Sequence, residues 1–318
     1  MRKQMKINQM KKDEFFEGFY LIKSAEVRQT RAGKDYLALT FQDDTGEISG
    51  NVWDAQPGKI KDFVAGVVVH VKGRREVYNN MPQVNQISLR LPRFDEPNDP
   101  ADFKEKPPVD VKDTKDYLSQ IIFRIENATW QRIVRALYNK YDKEFYSYPA
   151  AKSNHHAFYS GLSFHTATMV RLADKIGDVY PQLNKSLLFA GIMLHDLAKV
   201  LELTGPDNTS YTIRGNLIGH ISLIDEEITK VLMDLGIDDE KEDVIVLRHL
   251  VLSHHGQLEY GSPVRPQIME AEIMHMIDNI DAEMMMMLSA LDKVGPGEMT
   301  NRIFAMDNRA FYKPNIDK

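Results

Sequence analysis

The chain has 318 residues, of which 43% are hydrophobic and 27% are charged, and its formal net charge is −6. It has no cysteine, which excludes a disulfide scaffold, thiolate metal ligands and a thiol nucleophile. No stretch approaches the roughly 18 apolar residues of a membrane-spanning helix, and no apolar signal segment follows the basic N-terminus. We therefore expect a cytoplasmic protein with no membrane partner.

Charge is divided unevenly along the chain. Residues 1–92 hold 15 Lys and Arg against 11 Asp and Glu, a balance of +4, which leaves −10 for residues 93–318. A basic module beside an acidic one suits a polyanion-binding domain joined to a carboxylate-rich metal domain. Chance variation of the surface gives the same difference and stays open as the alternative.

The first quarter of the chain alternates with the period of β-strands. In residues 34–42 the apolar side chains of Leu37, Leu39 and Phe41 share one face, and turn residues precede and follow them. Five such strands in about 75 residues predict a small all-β Greek-key barrel. The segments "YLALTFQDDTGEISGNVWD" and "VVVHVKGRREVYNNMPQV" resemble an OB-fold nucleic-acid-binding domain.

Outward side chains of this barrel suggest a surface for single strands. Tyr36 and Trp53 offer aromatic faces on which unpaired bases can stack. Lys72, Arg74 and Arg75 could follow the phosphates. The alternative is that one or both aromatic rings pack against a second domain.

The period changes after the barrel. Residues 93–112 are rich in proline and charge and lack an apolar period, which predicts a linker. We therefore expect an OB-fold domain at 1–92, an all-α domain at 113–292 and a C-terminal tail at 293–318. Helical spacing places Leu118, Ile121, Ile122 and Ile125 on one helix face, and Ile133, Val134, Leu137 and Tyr141 on another. The same spacing predicts four further helices: Ser186–Val200, Asn216–Leu235, Lys241–Ser253 and Ile268–Leu291. The run Met284–Met287 is interpreted as core packing.

Seven potential metal ligands are spread over the helical part. Neutral imidazole and carboxylate groups bind Mn²⁺, Fe²⁺, Co²⁺ and Zn²⁺. A single histidine on an apolar helix is more often a core or surface residue, but a joint series can hold two ions. The series is His165, His195, Asp196, His220, His254, His255 and Asp278.

Five segments carry this series, namely "GLSFHT", "MLHDLAK", "GNLIGH", "LSHHG" and "HMIDNIDAEM". Their order resembles that of the HD-domain phosphohydrolase superfamily in its two-metal form. The resemblance implies one ion held by His165, His195, Asp196 and Asp278. It implies a second ion held by the other oxygen of Asp196 with His220, His254 and His255.

Three further residues accompany the ligands. Lys199 follows Asp196 by three positions and is expected to act with it in catalysis, the alternative being a surface lysine. Asp278 is preferred over Asp281 as the ligand, because Asp-x-x-Asp-Ala resembles the final HD motif. Asp281 is then expected to orient a histidine ligand or its helix from behind, and His275 is expected either to support a ligand in the same way or to pack in the core.

Barrel, linker and HD-like segments together resemble the YhaM-type 3′-to-5′ exoribonucleases, and "SHHGQLEYGSPVRP" and the tail "NRIFAMDNRAFYKP" add to this resemblance. It implies hydrolysis of single-stranded RNA, and of single-stranded DNA, to 5′-mononucleotides in RNA degradation, with Mn²⁺ as the metal. His156 and Arg309 are candidates for substrate contact, with helix capping as the alternative for His156 and packing as the alternative for Arg309. Two other functions stay open: a phosphohydrolase of small nucleotides, and a nucleic-acid-binding protein with a silent HD site. A homo-oligomer is compatible with the sequence.

Overall fold

The computed structural model describes residues 4–30, 32–53, 61–78, 81–104, 109–152, 158–206 and 209–316. The chain divides into two compact units, Met1–Lys106 and Pro107–Lys318. The first is built from strands and the second from helices, so the predicted fold class of an all-β barrel followed by an all-α domain is confirmed. No helix among the described residues is apolar over a length that would cross a bilayer.

The first unit is a closed five-stranded barrel. Its strands are β1 (Phe15–Gln29), β2 (Asp35–Asp43), β3 (Gly46–Trp53), β4 (Val68–Tyr78) and β5 (Met81–Arg90). Their order around the barrel is β1-β2-β3-β5-β4, and only β3 and β5 pair in parallel among the described strands. The long β1 pairs with β4 through its first half and with β2 through its second half, which allows the sheet to close on itself.

Alternation along the strands fills the barrel. Leu37, Leu39 and Phe41 are all buried, as their spacing predicts. Gly50 on β3 lies against β5, where an added Cβ would be 2.5 Å from Ile87 Cδ1 and 3.0 Å from the Val84 carbonyl oxygen. A side chain at Gly50 would hold the two strands apart, so the closing contact of the barrel depends on glycine.

The segment after β5 packs on the barrel, although it was predicted to belong to a linker. Phe103, which ends a 3-10 helix (Pro100–Phe103), is buried with Leu21 and Val68. Arg90 at the end of β5 donates hydrogen bonds of 2.6 and 2.8 Å to the Glu96 carboxylate. The barrel unit therefore continues past residue 92.

The second unit is built mainly from helices. Its helices are α1 (Val111–Phe123), α2 (Ala128–Phe145), α3 (Gly161–Val179), α4 (Lys185–His195), α5 (Lys199–Glu202), α6 (Ile213–Leu217), α7 (His220–Leu235), α8 (Glu242–Ser253) and α9 (Met269–Leu291). Beyond α9, the tail makes two isolated bridges, Met299 with Tyr312 and Ile303 with Arg309.

The centre of this unit is α4. The Asn184 side chain caps its start by accepting a hydrogen bond of 3.0 Å from the Leu187 amide. Every residue from Leu187 to His195 is buried, with α3, α8 and α9 packed around the helix. Gly191 permits the contact with α8, because an added Cβ would lie 2.5 Å from Leu250 Cδ2. The core thus holds His195 and the turn after it in place.

Two predicted helices are broken in the structure. The helix predicted over Ser186–Val200 ends at His195 and resumes only at Lys199. The helix predicted over Asn216–Leu235 is interrupted at Gly219, whose φ of +78° lies in the left-handed region. Both breaks occur beside predicted metal ligands, which they place at helix ends. The core-packing interpretation of Met284–Met287 is wrong, since Met284 is exposed and the other three are half-buried.

Candidate metal centre

The structure brings all seven predicted metal ligands together within the helical unit. Most of them lie at helix ends, where backbone direction changes and a side chain can point into a shared space. They are His165 in α3, His195 at the end of α4, Asp196 directly after it, His220 at the start of α7, His254 and His255 directly after α8, and Asp278 in α9.

Six of the ligands form two groups of three, and within each group the ligand atoms all lie within 4.8 Å of one another. The first half-site contains His165, His195 and Asp278, and the second half-site contains His220, His254 and His255. Asp196 lies between them, with its Oδ2 atom 3.4 Å from His195 Nε2 and its Oδ1 atom 3.4 Å from His220 Nε2. One carboxylate therefore faces both half-sites, as the resemblance implies for a shared ligand.

Three of the five histidines are oriented by main-chain carbonyls. In each, the Nδ1 atom donates a hydrogen bond, which leaves the Nε2 lone pair to bind a metal ion and fixes the direction of the ring. The pairs are His195 with the Ile192 carbonyl at 2.7 Å, His254 with Val251 at 2.6 Å, and His255 with Tyr260 at 2.6 Å.

The other two histidines are oriented by buried carboxylates. His165 Nδ1 donates to Asp281 Oδ2 at 2.6 Å, while its Nε2 atom lies 3.3 Å from Asp278 Oδ1. Asp278 thus stands on the metal side of this ring and Asp281 behind it. Burial lowers the pKa of His165, but Asp278 and Asp281 outweigh it and raise that pKa to about 10. A metal ion at Nε2 would displace the proton.

Glu202 orients His220 and was not predicted from the sequence. Its Oε1 atom accepts hydrogen bonds from the His220 amide at 3.1 Å and from His220 Nδ1 at 3.0 Å. Burial raises the pKa of Glu202, but His220 lowers it further, so the carboxylate stays charged. The only signal in the sequence is its position six residues after Asp196, because the contact itself spans 18 residues.

His275 acts on the backbone of the second half-site. Its Nδ1 atom donates to the His254 carbonyl oxygen at 3.0 Å. The ring also lies against Gly256, where an added Cβ would be 2.3 Å from His275 Nε2. His275 is therefore a support for the turn that carries His254 and His255, which is the kind of role expected for it.

Unsatisfied polar atoms show that the residues fit a metal ion. Among the described residues, five buried side-chain nitrogen or oxygen atoms lack a hydrogen-bond partner, and four of them point into this site. A buried polar atom without a partner costs about 1–3 kcal/mol, so four in one place call for a ligand. The five are His195 Nε2, Asp196 Oδ1, His220 Nε2, His254 Nε2 and, elsewhere, Ser262 Oγ.

Charges in the site favour binding of a cation by unprotonated groups. Burial lowers the pKa of both His254 and His255, which keeps these rings neutral. Lys199 Nζ lies 2.7 Å from Asp196 Oδ2. Burial raises the pKa of Asp196, but Lys199 and His195 outweigh it and hold that pKa well below its usual range. The central carboxylate is therefore charged and able to act as a ligand.

A comparison with known protein families agrees with this site. Residues 163–283 match the family model of the HD domain. The helical unit contains an HD domain. The matched segment includes every residue of both half-sites, together with Asp196, Lys199 and Glu202. An HD domain indicates a metal-dependent phosphohydrolase, a hydrolase of the phosphodiesterase type, and HD domains bind divalent metals.

The candidate metal centre opens into a cleft of about 390 Å³. Asp196, Lys199 and Asp278 line it, so the central carboxylate and its lysine are accessible from the cavity. Tyr211 and Tyr260 line the same cavity and were not predicted from the sequence. A small molecule or the end of a polymer can therefore reach the metal ligands.

The barrel carries the predicted aromatic pair on its outside. Tyr36 and Trp53 are cross-strand neighbours on β2 and β3, with ring centroids 5.0 Å apart, and Trp53 is 54% exposed. Arg28 on β1 is the register partner of Tyr36 on its other side. Arg28 was not predicted, since a cation on a third strand becomes a neighbour only through strand register.

The predicted basic residues lie elsewhere on the barrel. Lys72 and Arg74 on β4 pair with the start of β1, at Glu17 and Phe15, whereas Arg28 lies near its end. Lys72 Nζ is 3.0 Å from Glu17 Oε1, and the Arg74 guanidinium is 5.5 Å from the Phe15 ring centroid. Arg75, the next residue on β4, is half-buried. The structure therefore does not bring the three cations beside the aromatic pair.

The two candidates for substrate contact have different outcomes. His156 lies outside the described residues. Arg309, in the tail, donates from Nε to the Met306 carbonyl oxygen at 3.1 Å, and its guanidinium lies 3.9 Å from Glu283 Oε2 on α9. Arg309 thus lies within ion-pair distance of α9 and is not among the residues that line the cleft described above. Its role at the substrate stays a prediction.

Proposed function

We propose that this protein is a metal-dependent 3′-to-5′ exoribonuclease that shortens single-stranded RNA, and single-stranded DNA, to 5′-mononucleotides. The observation that carries the proposal is the convergence of four histidine Nε2 atoms on the Asp196 carboxylate, each within 3.9 Å of it, in a cleft open to solvent. The pair of half-buried Tyr36 and exposed Trp53 on the outside of the barrel supports a single-stranded polymer as the substrate.

The donor set suits divalent ions that cleave phosphodiesters. His165, His195 and Asp278 would hold one ion, His220, His254 and His255 the other, and Asp196 both. When bound, such ions acidify a water molecule and polarise a phosphoryl oxygen. Mn²⁺ is the ion we propose, because imidazole and carboxylate ligands together accept it.

Lys199 would act on the charge that develops during cleavage. Burial lowers the pKa of its ammonium group, but Asp196 outweighs it and raises that pKa, so the group stays charged. It lies at the wall of the cleft, beside the central carboxylate. A fixed positive charge in that place stabilises the anionic phosphoryl group and the departing oxygen.

The barrel would hold the strand that is being shortened. Trp53 is exposed beside the half-buried Tyr36. Arg28, the register partner of Tyr36, adds a guanidinium to the same surface, where it is ion-paired with Glu26 at 2.6 Å. Stacking and charge together bind single strands without a sequence preference, because every base has an aromatic face. A nuclease that degrades RNA of any sequence requires this kind of surface.

The test uses two labelled forms of one single-stranded RNA with Mn²⁺. We expect the 5′-labelled RNA to give a ladder that shortens with time, and the 3′-labelled RNA to release a mononucleotide at once. Discrete internal fragments would show an endonuclease instead. Hydrolysis of small nucleotides or cyclic dinucleotides, with the RNA left intact, would favour the alternative of a small-nucleotide phosphohydrolase.

Asp196→Ala links this activity to the metal centre. We expect turnover to fall by at least about 100-fold, with a loss of bound metal and with retained binding of single strands. Asp234→Ala is the matched control, because Asp234 is an exposed aspartate near the end of α7. Undiminished turnover in Asp196→Ala would place the chemistry elsewhere.

A further inference from the structure

Two tyrosines line the cleft of the metal centre, and their side chains do not orient any of the metal ligands. Tyr211 is 45% exposed and Tyr260 is 64% exposed. Neither ring stacks on another aromatic ring within the described part of the chain. Large aromatic surfaces beside a polar site call for a ligand that has an apolar face of its own.

Tyr211 is fixed in place by the strand-like segment that follows α5. It forms an isolated bridge with Leu203, the residue after Glu202. The next residue, Thr212, donates from its amide to the Glu202 carbonyl oxygen at 2.9 Å and from its hydroxyl to the Leu201 carbonyl oxygen at 2.8 Å. The backbone directly after Tyr211 is thus bound to Glu202, the residue whose carboxylate orients His220.

Tyr260 is fixed from the other side of the second half-site. It ends a 3-10 helix (Leu258–Tyr260) between Gly256 and Gly261, whose φ angles of +76° and +94° favour glycine. Its carbonyl oxygen accepts the 2.6 Å hydrogen bond from His255 Nδ1. The backbone at both tyrosines therefore lies beside the groups that orient His220 and His255, so both side chains start from the wall of the second half-site.

The cavity is small for a polymer. Its volume of about 390 Å³ is near the low end of the roughly 300–1,000 Å³ found for ligand sites. A space of this size suits one nucleotide. Lys199 and the candidate metal ligands in the wall of the cavity suit the phosphate, and Tyr211 and Tyr260 in the same wall suit the base.

We propose that Tyr211 and Tyr260 stack on the base of the nucleotide whose phosphate is cleaved. This inference rests on the proposed function, since it takes nucleic acid as the substrate, and it names what the cleft recognises. A base within a duplex has both faces covered by its neighbours. Only an unpaired terminal nucleotide can offer a face to these rings, so the two tyrosines make the site selective for unpaired ends.

The test compares two diesters that differ only in the base. One is uridine 5′-(p-nitrophenyl phosphate), and the other is the corresponding diester of 1-O-methylribose, which has no base. We expect Tyr211→Ala and Tyr260→Ala each to lower kcat/KM for the uridine diester by about 5- to 150-fold, the loss for one base–aromatic stack. The base-free diester should be cleaved equally by all variants.

Matched variants separate stacking from structural damage. Tyr211→Phe and Tyr260→Phe keep an aromatic face and should retain kcat/KM for the uridine diester. Tyr180→Ala removes an exposed tyrosine after α3, outside the cleft, and should change neither diester. Equal losses on both diesters would show a structural role for the tyrosines, and no loss on the uridine diester would show that they do not meet the base. Either result overturns the inference.

Binding provides a second readout that does not depend on exonuclease action. Calorimetric titration of the Mn²⁺-loaded protein should give tighter binding of uridine 5′-monophosphate than of ribose 5-phosphate, and the alanine variants should remove that difference. If RNA is left intact but this difference is present, the proposed exoribonuclease function falls and the tyrosine site stands. If RNA is shortened but the difference is absent in the wild type, the tyrosine site falls alone.

Discussion

Glu202 and Asp281 allow the two half-sites to be perturbed separately. Glu202→Gln and Asp281→Asn keep the size of each side chain and remove its charge. Glu202 orients His220 in the second half-site, and Asp281 orients His165 in the first. Each variant should therefore weaken metal binding at one half-site and leave the other unchanged, even though both half-sites share Asp196.

The expected loss of metal affinity follows from the hydrogen bonds whose acceptor loses its charge. A hydrogen bond to a charged group contributes about 1.5–3 kcal/mol, which corresponds to roughly 10- to 150-fold in affinity. Asp281 accepts one such bond from His165, at 2.6 Å, whereas Glu202 accepts two from His220, at 3.0 and 3.1 Å. We expect a loss of about 10- to 100-fold for each variant, with Glu202→Gln at the upper end.

The assay is calorimetric titration of the metal-free protein with Mn²⁺. Wild-type protein should show two classes of site, and the two variants should weaken different classes. Turnover lost in either variant should return as Mn²⁺ is raised, since a positioning residue acts through metal affinity. Glu226→Gln is the control, because Glu226 is an exposed glutamate on the same helix as His220, paired with Lys230. Equal weakening of one class by both variants, or unchanged affinity, would refute the reasoning.

Three further predictions concern stability and the barrel. Burial raises the pKa of Glu227, but Lys140, Lys230 and Tyr141 outweigh it and lower that pKa from 4.5 to about 2. The contribution of the Glu227 carboxylate to the free energy of unfolding is therefore complete above about pH 4.5 and is lost as the pH falls towards 2. Glu227→Gln should lower the free energy of unfolding by about 1–2 kcal/mol at pH 7. Urea titrations of this variant should show a weaker dependence of stability on acid pH. Gly50→Ala should destabilise the barrel by about 1–3 kcal/mol in thermal melts, and an unchanged melting temperature would contradict the closing contact described for β3 and β5. Trp53→Ala should weaken binding of single-stranded RNA by about 5- to 150-fold in fluorescence anisotropy, whereas Tyr78→Ala, an exposed aromatic elsewhere on the barrel, should not.

Most of the fold could be predicted because its elements have clear periods. The alternation of Leu37, Leu39 and Phe41 predicts their shared buried face, and helical spacing finds most of the helical unit. The helical period of the apolar residues did not predict the breaks after His195 and at Gly219, since apolar residues continue across both. A helix end fixed by packing and by one left-handed glycine leaves little trace in hydrophobic spacing.

The metal ligands could be predicted because their order along the chain is distinctive. Their supports could not, because Glu202 reaches His220 across 18 residues and Tyr260 acts through its carbonyl oxygen, which every residue type has. Strand register decides the rest: it brings Arg28 beside Tyr36 and puts Lys72 at the far end of β1. Such contacts depend on which segments meet in space, and a single sequence does not state that.

Some of the metal-binding histidines are oriented by backbone carbonyls and others by side chains, and this difference decides which mutations the site tolerates. A main-chain acceptor survives almost any substitution of the residue that carries it, so the rings of His195, His254 and His255 are insulated from most single changes around them. The orientation of His165 and of His220 depends instead on side chains, so substitutions at Asp281 and Glu202 would change it. Adaptation to a different metal supply would therefore be expected first at these two acidic positions, while the remaining geometry is inherited unchanged.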